Sequence, residues 1–282
     1  MIELLQNRLA SYRLVDAVAE EQALKEILQE LILYALWRTD FFDLAAFQGG
    51  TSLRILYGLP RFSEDMDFIL LAPDESFEWR SVVPGIEAVL LEFGVSVELI
   101  DRSEAQGAIR RATLKDDSLA GLLDLGFKDG SPRRKLRVKL ELDTRPPAGS
   151  NWARHFCDFP TDFMAISQDL PSNFALKLHA LLCRPYLKGR DWFDFLWYVR
   201  RRVLPNLEHL GNALEQHGPW AGQRIQPDSH WLKQAMAHKI ESIDWARAAS
   251  DVEPFVNEQD RHGLKLWGRE LFLDRLDKLQ SS

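Results

Sequence analysis

The chain has 282 residues, with 35 Lys and Arg against 42 Asp and Glu and a formal net charge of -7. That length allows one large domain or two modest ones. A composition that is 46% hydrophobic and 27% charged excludes a disordered or fibrous chain, and the acidic balance speaks against a protein that coats nucleic acid non-specifically, though not against a basic patch.

The first forty residues read as helices, and EEQALKEILQELILYALW sets Leu24, Ile27, Leu28, Leu31 and Ala35 on one face at helical spacing. AFQGG is a short apolar run stopped by paired glycines, after which Thr51 can cap a short helix TSLRILYG that ends at Gly58 and Pro60. DMDFILLA alternates Met66, Phe68 and Leu70 against Asp65, Asp67 and Ile69, the period of a strand. EWRSVVPGIEAVLLEFG is helical, with a bend or start near Pro84, and VSVELI is a strand. Between Gly107 and Gly130, IRRATLK suits a strand and SLAGLLDLGF a short helix. After the turn DGSPRR, KLRVKLELD is the clearest amphipathic strand, with Leu136, Val138, Leu140 and Leu142 opposite Arg137, Lys139, Glu141 and Asp143. The Pro-Pro-Ala-Gly-Ser stretch at 146–150 is expected to end the βα region. Beyond about residue 165 the pattern is helical: NFALKLHALLCR with Ser172 as its cap, GRDWFDFLWYVRRR, and further amphipathic segments.

Two cysteines, Cys157 and Cys183, are too few for a disulfide framework or a zinc knuckle. The N-terminus lacks a cationic segment followed by an apolar run, and Ala23 to Trp37 carries Lys25, Glu26, Gln29 and Glu30, too polar to span a bilayer. The expectation is a soluble, cytoplasmic protein with no membrane partner.

The chemistry concentrates in GGTSLRILYGLPRFSEDMDF, residues 49–68. Asp65 and Asp67 are two apart, so on a strand both carboxylates point to one face and repel each other. A hard cation with oxygen ligands, Mg2+ or Mn2+, would relieve that repulsion. Upstream, Gly49, Gly50 and Thr51 sit where a strand turns into a helix, and glycines there let backbone amides approach a polyphosphate. Taken singly, Gly-Gly is also a turn and Asp-x-Asp the wet face of a half-buried strand. Together they suggest an NTP held through its phosphates. Arg61 and Ser63 flank the acidic pair and are candidates to hold phosphate oxygens, as is Arg54.

A Gly-Gly helix opening followed by Asp-x-Asp on a strand resembles the signature of the polymerase-β-like nucleotidyltransferase superfamily. The longer run 49–68 resembles the AbiEii/AbiGii family of toxins from abortive-infection and type IV toxin–antitoxin systems. NFALKLHALLCR is similar to that family's third motif, a helix with an internal Lys, and KGRDWFDFLWYV to its fourth. The resemblance implies an α/β (α+β) fold: a minimal nucleotidyltransferase core with a mixed sheet and N-terminal helices over 1–160, then an all-helical domain over 161–282. It implies Asp65 and Asp67 as metal ligands, joined by a third carboxylate on a neighbouring strand. Glu141 and Asp143 are the two candidates, and Glu141 is preferred because Lys-x-Glu is the family-like spelling. Lys177 would neutralise the triphosphate as a point charge, with a snorkelling surface lysine as the alternative. Asp191 and Asp194 share a helix face; one would orient Lys177 or Arg61 and the other would bind nucleotide or metal. The surrounding rings, Trp192, Phe193, Phe195, Trp197 and Tyr198, imply burial, and buried carboxylates need partners.

His179 is expected to pack rather than react, and no Ser/His/Asp or Cys/His array supports a hydrolase. Arg133, Arg134, Lys135, Arg137 and Lys139, and then Arg200, Arg201 and Arg202, could hold an RNA backbone, or serve as a soluble turn and a basic helix terminus. The expected activity is metal-dependent transfer of a nucleotidyl group from an NTP to tRNA or another RNA, countered by an antitoxin encoded nearby that need not form a stable complex. Two rivals stand beside it: transfer of a nucleotide or phosphate to a protein side chain, and a nucleotide-binding regulatory module without turnover.

Overall fold

A computed structural model describes residues 1–103, 107–116, 118–123, 125 and 136–279. The chain forms two compact units, one of Met1–Gly58, Phe62–Pro146 and Arg154–Ser167, the other of Leu59–Arg61, Pro147–Ala153 and Gln168–Ser282. The division is interleaved along the chain.

The chain opens with α1 (Ile2–Ala10) and α2 (Ala17–Arg38), followed by β1 (Ala45–Gln48), α3 (Gly49–Tyr57) and β2 (Met66–Leu70). Next come α4 (Val83–Glu92), β3 (Val97–Asp101), β4 (Ile109–Asp116), the single turn α5 (Leu119–Leu122) and β5 (Leu136–Asp143). Two further strands, β6 (Trp152–Cys157) and β7 (Phe163–Gln168), complete a sheet of order β3-β4-β5-β2-β1-β7-β6. It is mixed: β2 runs parallel to β5 and β1 to β7, whereas β1 and β2, β3 and β4, and β4 and β5 are antiparallel.

The alternation in β5 is as the sequence predicts: Leu136, Val138, Leu140 and Leu142 are buried. Asp16 caps α2 by accepting the Ala19 N–H at 2.8 Å, and from Ala23 to Leu36 only Lys25 is not fully buried. That buried helix holds the approach to β2. The buried Gln29 donates its amide to the carbonyls of Ser63 and Glu64 at 3.1 and 2.9 Å.

Three expectations change. The helix after the paired glycines begins at Gly49 itself, with Gln48 as N-cap in extended backbone, so Thr51 is no cap; its buried hydroxyl donates to the Asp65 carbonyl instead. Of the two expected outcomes at Pro84 the structure has the start: α4 begins at Val83, and Pro84 fits its first turn, where no N–H is needed. The sheet does not end at 146–150, because β6 and β7 follow. Finally, α6 (Leu170–Cys183) is capped by Asp169, whose carboxylate accepts the Ser172 N–H at 2.8 Å, and Ser172 lies inside the helix.

The second unit carries α6, then α7 (Gly189–Arg200), α8 (Leu207–Gln216), α9 (Ser229–Glu241), α10 (Trp245–Val252), α11 (Glu258–Leu264) and α12 (Arg269–Asp277). Its core is aromatic. Phe174 stacks on Tyr198 at 4.2 Å and Trp245 on Phe272 at 3.9 Å, with Trp192 edge-on to both Trp245 and Phe272. The first turn of α7 is seated by backbone contact: the Gly189 N–H donates to Asp251 at 2.7 Å, and a Cβ on Gly189 would stand 2.0 Å from the Ala248 carbonyl oxygen. No side chain fits there. A Gly189→Ala variant is expected to lose about 1–3 kcal/mol of stability, read as a lower urea midpoint at unchanged slope.

Candidate active site

In the first unit, β2 lies between β1 and β5 in a register that sets Asp67 opposite Gln48 on one side and opposite Glu141 on the other. Partners across a parallel pair project to the same face, so Asp67 and Glu141 face one way. The next residue after Gln48 is Gly49, in the left-handed region at φ 76°, and a Cβ built there would stand 2.5 Å from Asp67 Oδ2. Only glycine leaves the Asp67 carboxylate its place over the opening of α3. Gly50, the next residue, is buried, and the Ser52 hydroxyl donates to the Gly49 carbonyl at 2.9 Å.

Asp65 immediately precedes β2, with its side chain 34% exposed and 4.0 Å from Lys139 Nζ. Glu141 is 36% exposed and accepts from Arg111 Nε at 3.1 Å, Arg111 being its partner on β4. Asp143 lies opposite Ile69, two residues farther along, where its carboxylate accepts the Arg145 N–H at 2.9 Å. The geometry therefore sets Glu141, not Asp143, beside Asp67. Among the described residues, no group of three or more His, Cys, Asp and Glu side chains is gathered as a metal site. The donor chemistry nonetheless suits a hard divalent cation: partly open, oxygen-only side chains whose present neighbours, Lys139 and Arg111, are themselves exposed.

The second unit contains a network of buried charges. Arg61, 2% exposed, grips Asp194, 0% exposed, through two parallel bonds: Nε to Oδ1 at 2.7 Å and Nη2 to Oδ2 at 2.6 Å. Lys177 Nζ bridges Asp194 Oδ2 at 2.8 Å and Asp191 Oδ1 at 3.0 Å, and the other oxygen of Asp191 receives Arg184. The ring-rich α7 explains the burial, and the carboxylates have the partners that burial demands. Lys177 is thus an enclosed bridging cation, not a snorkelling surface residue. Burial alone would lower the Lys177 pKa and raise that of Asp191. The opposite charges win, so Lys177 titrates above its ordinary 10.5 and Asp191 is held down at about 2 by Lys177, Arg184 and Lys188.

Arg61 commits its guanidinium to Asp194 and presents no free fork to a phosphate. Arg54 is likewise occupied, since the buried Glu26 takes its Nε at 2.7 Å and Nη2 at 3.2 Å, with the Phe62 ring beneath. Ser63 is half-buried and anchored through its carbonyl by Gln29. His179 Nε2 sits 3.1 Å from the His217 carbonyl. Of the first basic cluster, Arg133, Arg134 and Lys135 lie outside the described residues, while Arg137 and Lys139 are exposed on β5. Arg200, Arg201 and Arg202 are exposed at the end of α7, with Arg201 over the Trp197 ring. Sequence reasoning missed Arg184 as a partner of Asp191; its helical spacing from Lys177, one turn past Ala180, was the available signal.

The network makes two expectations. An Asp194→Ala variant strands Arg61 and is expected to cost about 3–5 kcal/mol, whereas Lys177→Ala leaves each carboxylate an arginine and should cost far less. The depressed Asp191 contributes stability that is complete above its ordinary 3.8 and is lost as pH falls toward about 2; Asp191→Asn should flatten that acid limb in denaturant titrations.

The fold and these sites place the chain among known proteins. A family model described as "Nucleotidyl transferase AbiEii toxin, Type IV TA system" matches residues 31–275. Among solved structures, a candidate nucleotidyltransferase from H. pylori superimposes with TM-score 0.50 and 16% identity, over 92% of this chain and 97% of that one. JHP933 from Helicobacter pylori gives TM-score 0.49 and 16% identity over 92% and 89% of the two chains. At that identity the first likeness speaks to the fold alone. No curated protein matches the chain significantly. Among the described residues, no helix is long and apolar enough to cross a membrane. The family match covers most of the sequence, both sheet and helical units, and the chain belongs to the AbiEii family of nucleotidyl transferase toxins.

Proposed function

We propose that the protein transfers a nucleotidyl group from an NTP to an RNA acceptor, tRNA being the first candidate, with release of pyrophosphate. The reading is supported above all by the register that sets Asp67 beside Glu141 and over the Gly49 backbone. Asp65, Asp67 and Glu141 would hold Mg2+ or Mn2+, which when bound neutralises phosphate charge and favours ionisation of the acceptor hydroxyl. The amides that open α3 at Gly49, Gly50 and Thr51 face the phosphate oxygens at the positive end of the helix. The acceptor oxygen attacks the α-phosphorus, the bond to the bridging oxygen breaks, and Glu141 takes the hydroxyl proton. The family resemblance assigns Lys177 to neutralising the triphosphate, with Asp191 and Asp194 keeping it ionised and fixed. An antitoxin encoded nearby would counter the activity without needing a stable complex.

The test is a transfer assay with Mg2+, each labelled NTP in turn, total RNA and cell lysate. Label is expected on RNA, lost by roughly 100-fold or more in Asp67→Asn, and reduced in Lys177→Ala at little cost to the melting temperature. Label on protein instead would move the acceptor to a side chain. Measurable NTP binding with label nowhere would leave a nucleotide-binding module without turnover.

A further inference from the structure

A pocket of about 290 Å³ opens in the second unit between the end of α6, the segment 185–188, the start of α7 and the turn from α9 to α10. Four cations line it: Arg184, Lys188, Lys239 and Arg247. Two carboxylates share the lining, and both are already engaged. Asp191 holds Lys177 and Arg184, and Asp244 caps α10 by accepting the Arg247 N–H at 3.0 Å. Among the described residues, neither Lys188 nor the Arg247 guanidinium has a carboxylate within ion-pairing distance, and Lys239 Nζ meets only the Arg184 carbonyl, at 3.5 Å.

Cations left unpaired around a concavity repel one another, and Lys188 is in addition largely desolvated. Burial above all holds its ammonium below the ordinary lysine range; Asp191 pulls it up, and Lys177, Arg190 and Arg184 add to the lowering. In a chain of net charge -7 this local excess is no average property. A compact, multiply charged anion satisfies it, and guanidinium and ammonium groups together suit phosphate oxygens. At the mouth stands Tyr186, 64% exposed, with the Arg184 guanidinium 5.2 Å from its ring centre. An open ring beside a phosphate site offers a base a stacking surface.

We propose that this pocket binds the phosphate groups of a nucleotide, free or at the end of an RNA strand, with the base against Tyr186. The proposal stands on second-unit residues alone and does not rest on the transfer reaction. Because Arg184 also serves Asp191, a bound phosphate shares a cation with the Lys177 network.

The test is calorimetric titration of the full chain in EDTA at low salt, using inorganic pyrophosphate, an NTP, and an RNA trinucleotide with and without a 5′-phosphate. Pyrophosphate is expected to bind, and the exposed Arg247→Gln should weaken it roughly 10-fold, with Lys239→Gln/Arg247→Gln weakening it roughly 100-fold at unchanged melting temperature. Preference for the phosphorylated trinucleotide over its hydroxyl form would identify an RNA end as the source; binding of the NTP alone would identify free nucleotide. Asp67→Asn should retain the pyrophosphate affinity while transfer is lost, which separates this site from the reaction. No binding by the wild type, or affinity unchanged in the double variant, would overturn the proposal.

Discussion

The register of β2 between β1 and β5 is the constraint on which the first unit's chemistry depends. Side chains alternate along a strand, so a slip of one residue would turn Asp67 into the core and expose Phe68. Buried Met66, Phe68 and Leu70 resist that slip, and Phe68 is further fixed by rings on either side, Phe47 at 5.1 Å and Phe41 at 5.1 Å. The same register sets Gly49 against Asp67, where any Cβ would collide with the carboxylate. Apolar packing on one face therefore decides the position of charge on the other.

The second unit solves the opposite problem. Asp191 and Asp194 are not open to solvent but enclosed on the ring-rich α7, and each needs a cation brought to it. Asp194 has two and Asp191 has two, with Lys177 common to both. Removing a cation from such a set is less damaging than removing a carboxylate, because the remaining arginines still neutralise the buried oxygens. Arg184 and Asp191 also line the cationic pocket, so both have a place in the two features.

Much of this was legible in the sequence where a short-range pattern carried the signal. The two-residue period of KLRVKLELD placed β5 and its polar face, and the rings around Asp191 and Asp194 announced buried carboxylates. Long-range pairing was not legible. Arg61 meets Asp194 across 133 residues and Arg54 meets Glu26 across 28, and nothing local distinguishes these arginines from phosphate ligands. The strand β6 was hidden because WARHFC buries no residue, being exposed at Trp152, Arg154 and Phe156 and only partly covered between them, so no apolar face marks it. The caps were misplaced by three residues each, since Thr51 and Ser172 have the right chemistry but Gln48 and Asp169 have the extended backbone that a cap requires.

The register sets Glu141 beside Asp67 and Asp143 two residues farther along, and the proposed metal site takes Glu141 as its third carboxylate. Manganese binding, followed by paramagnetic resonance on the wild type and on single variants, tests that most directly. Affinity should fall at least about 10-fold in both Asp67→Asn and Glu141→Gln and be unchanged in Asp143→Asn. Loss in Asp143→Asn with full binding in Glu141→Gln would contradict it.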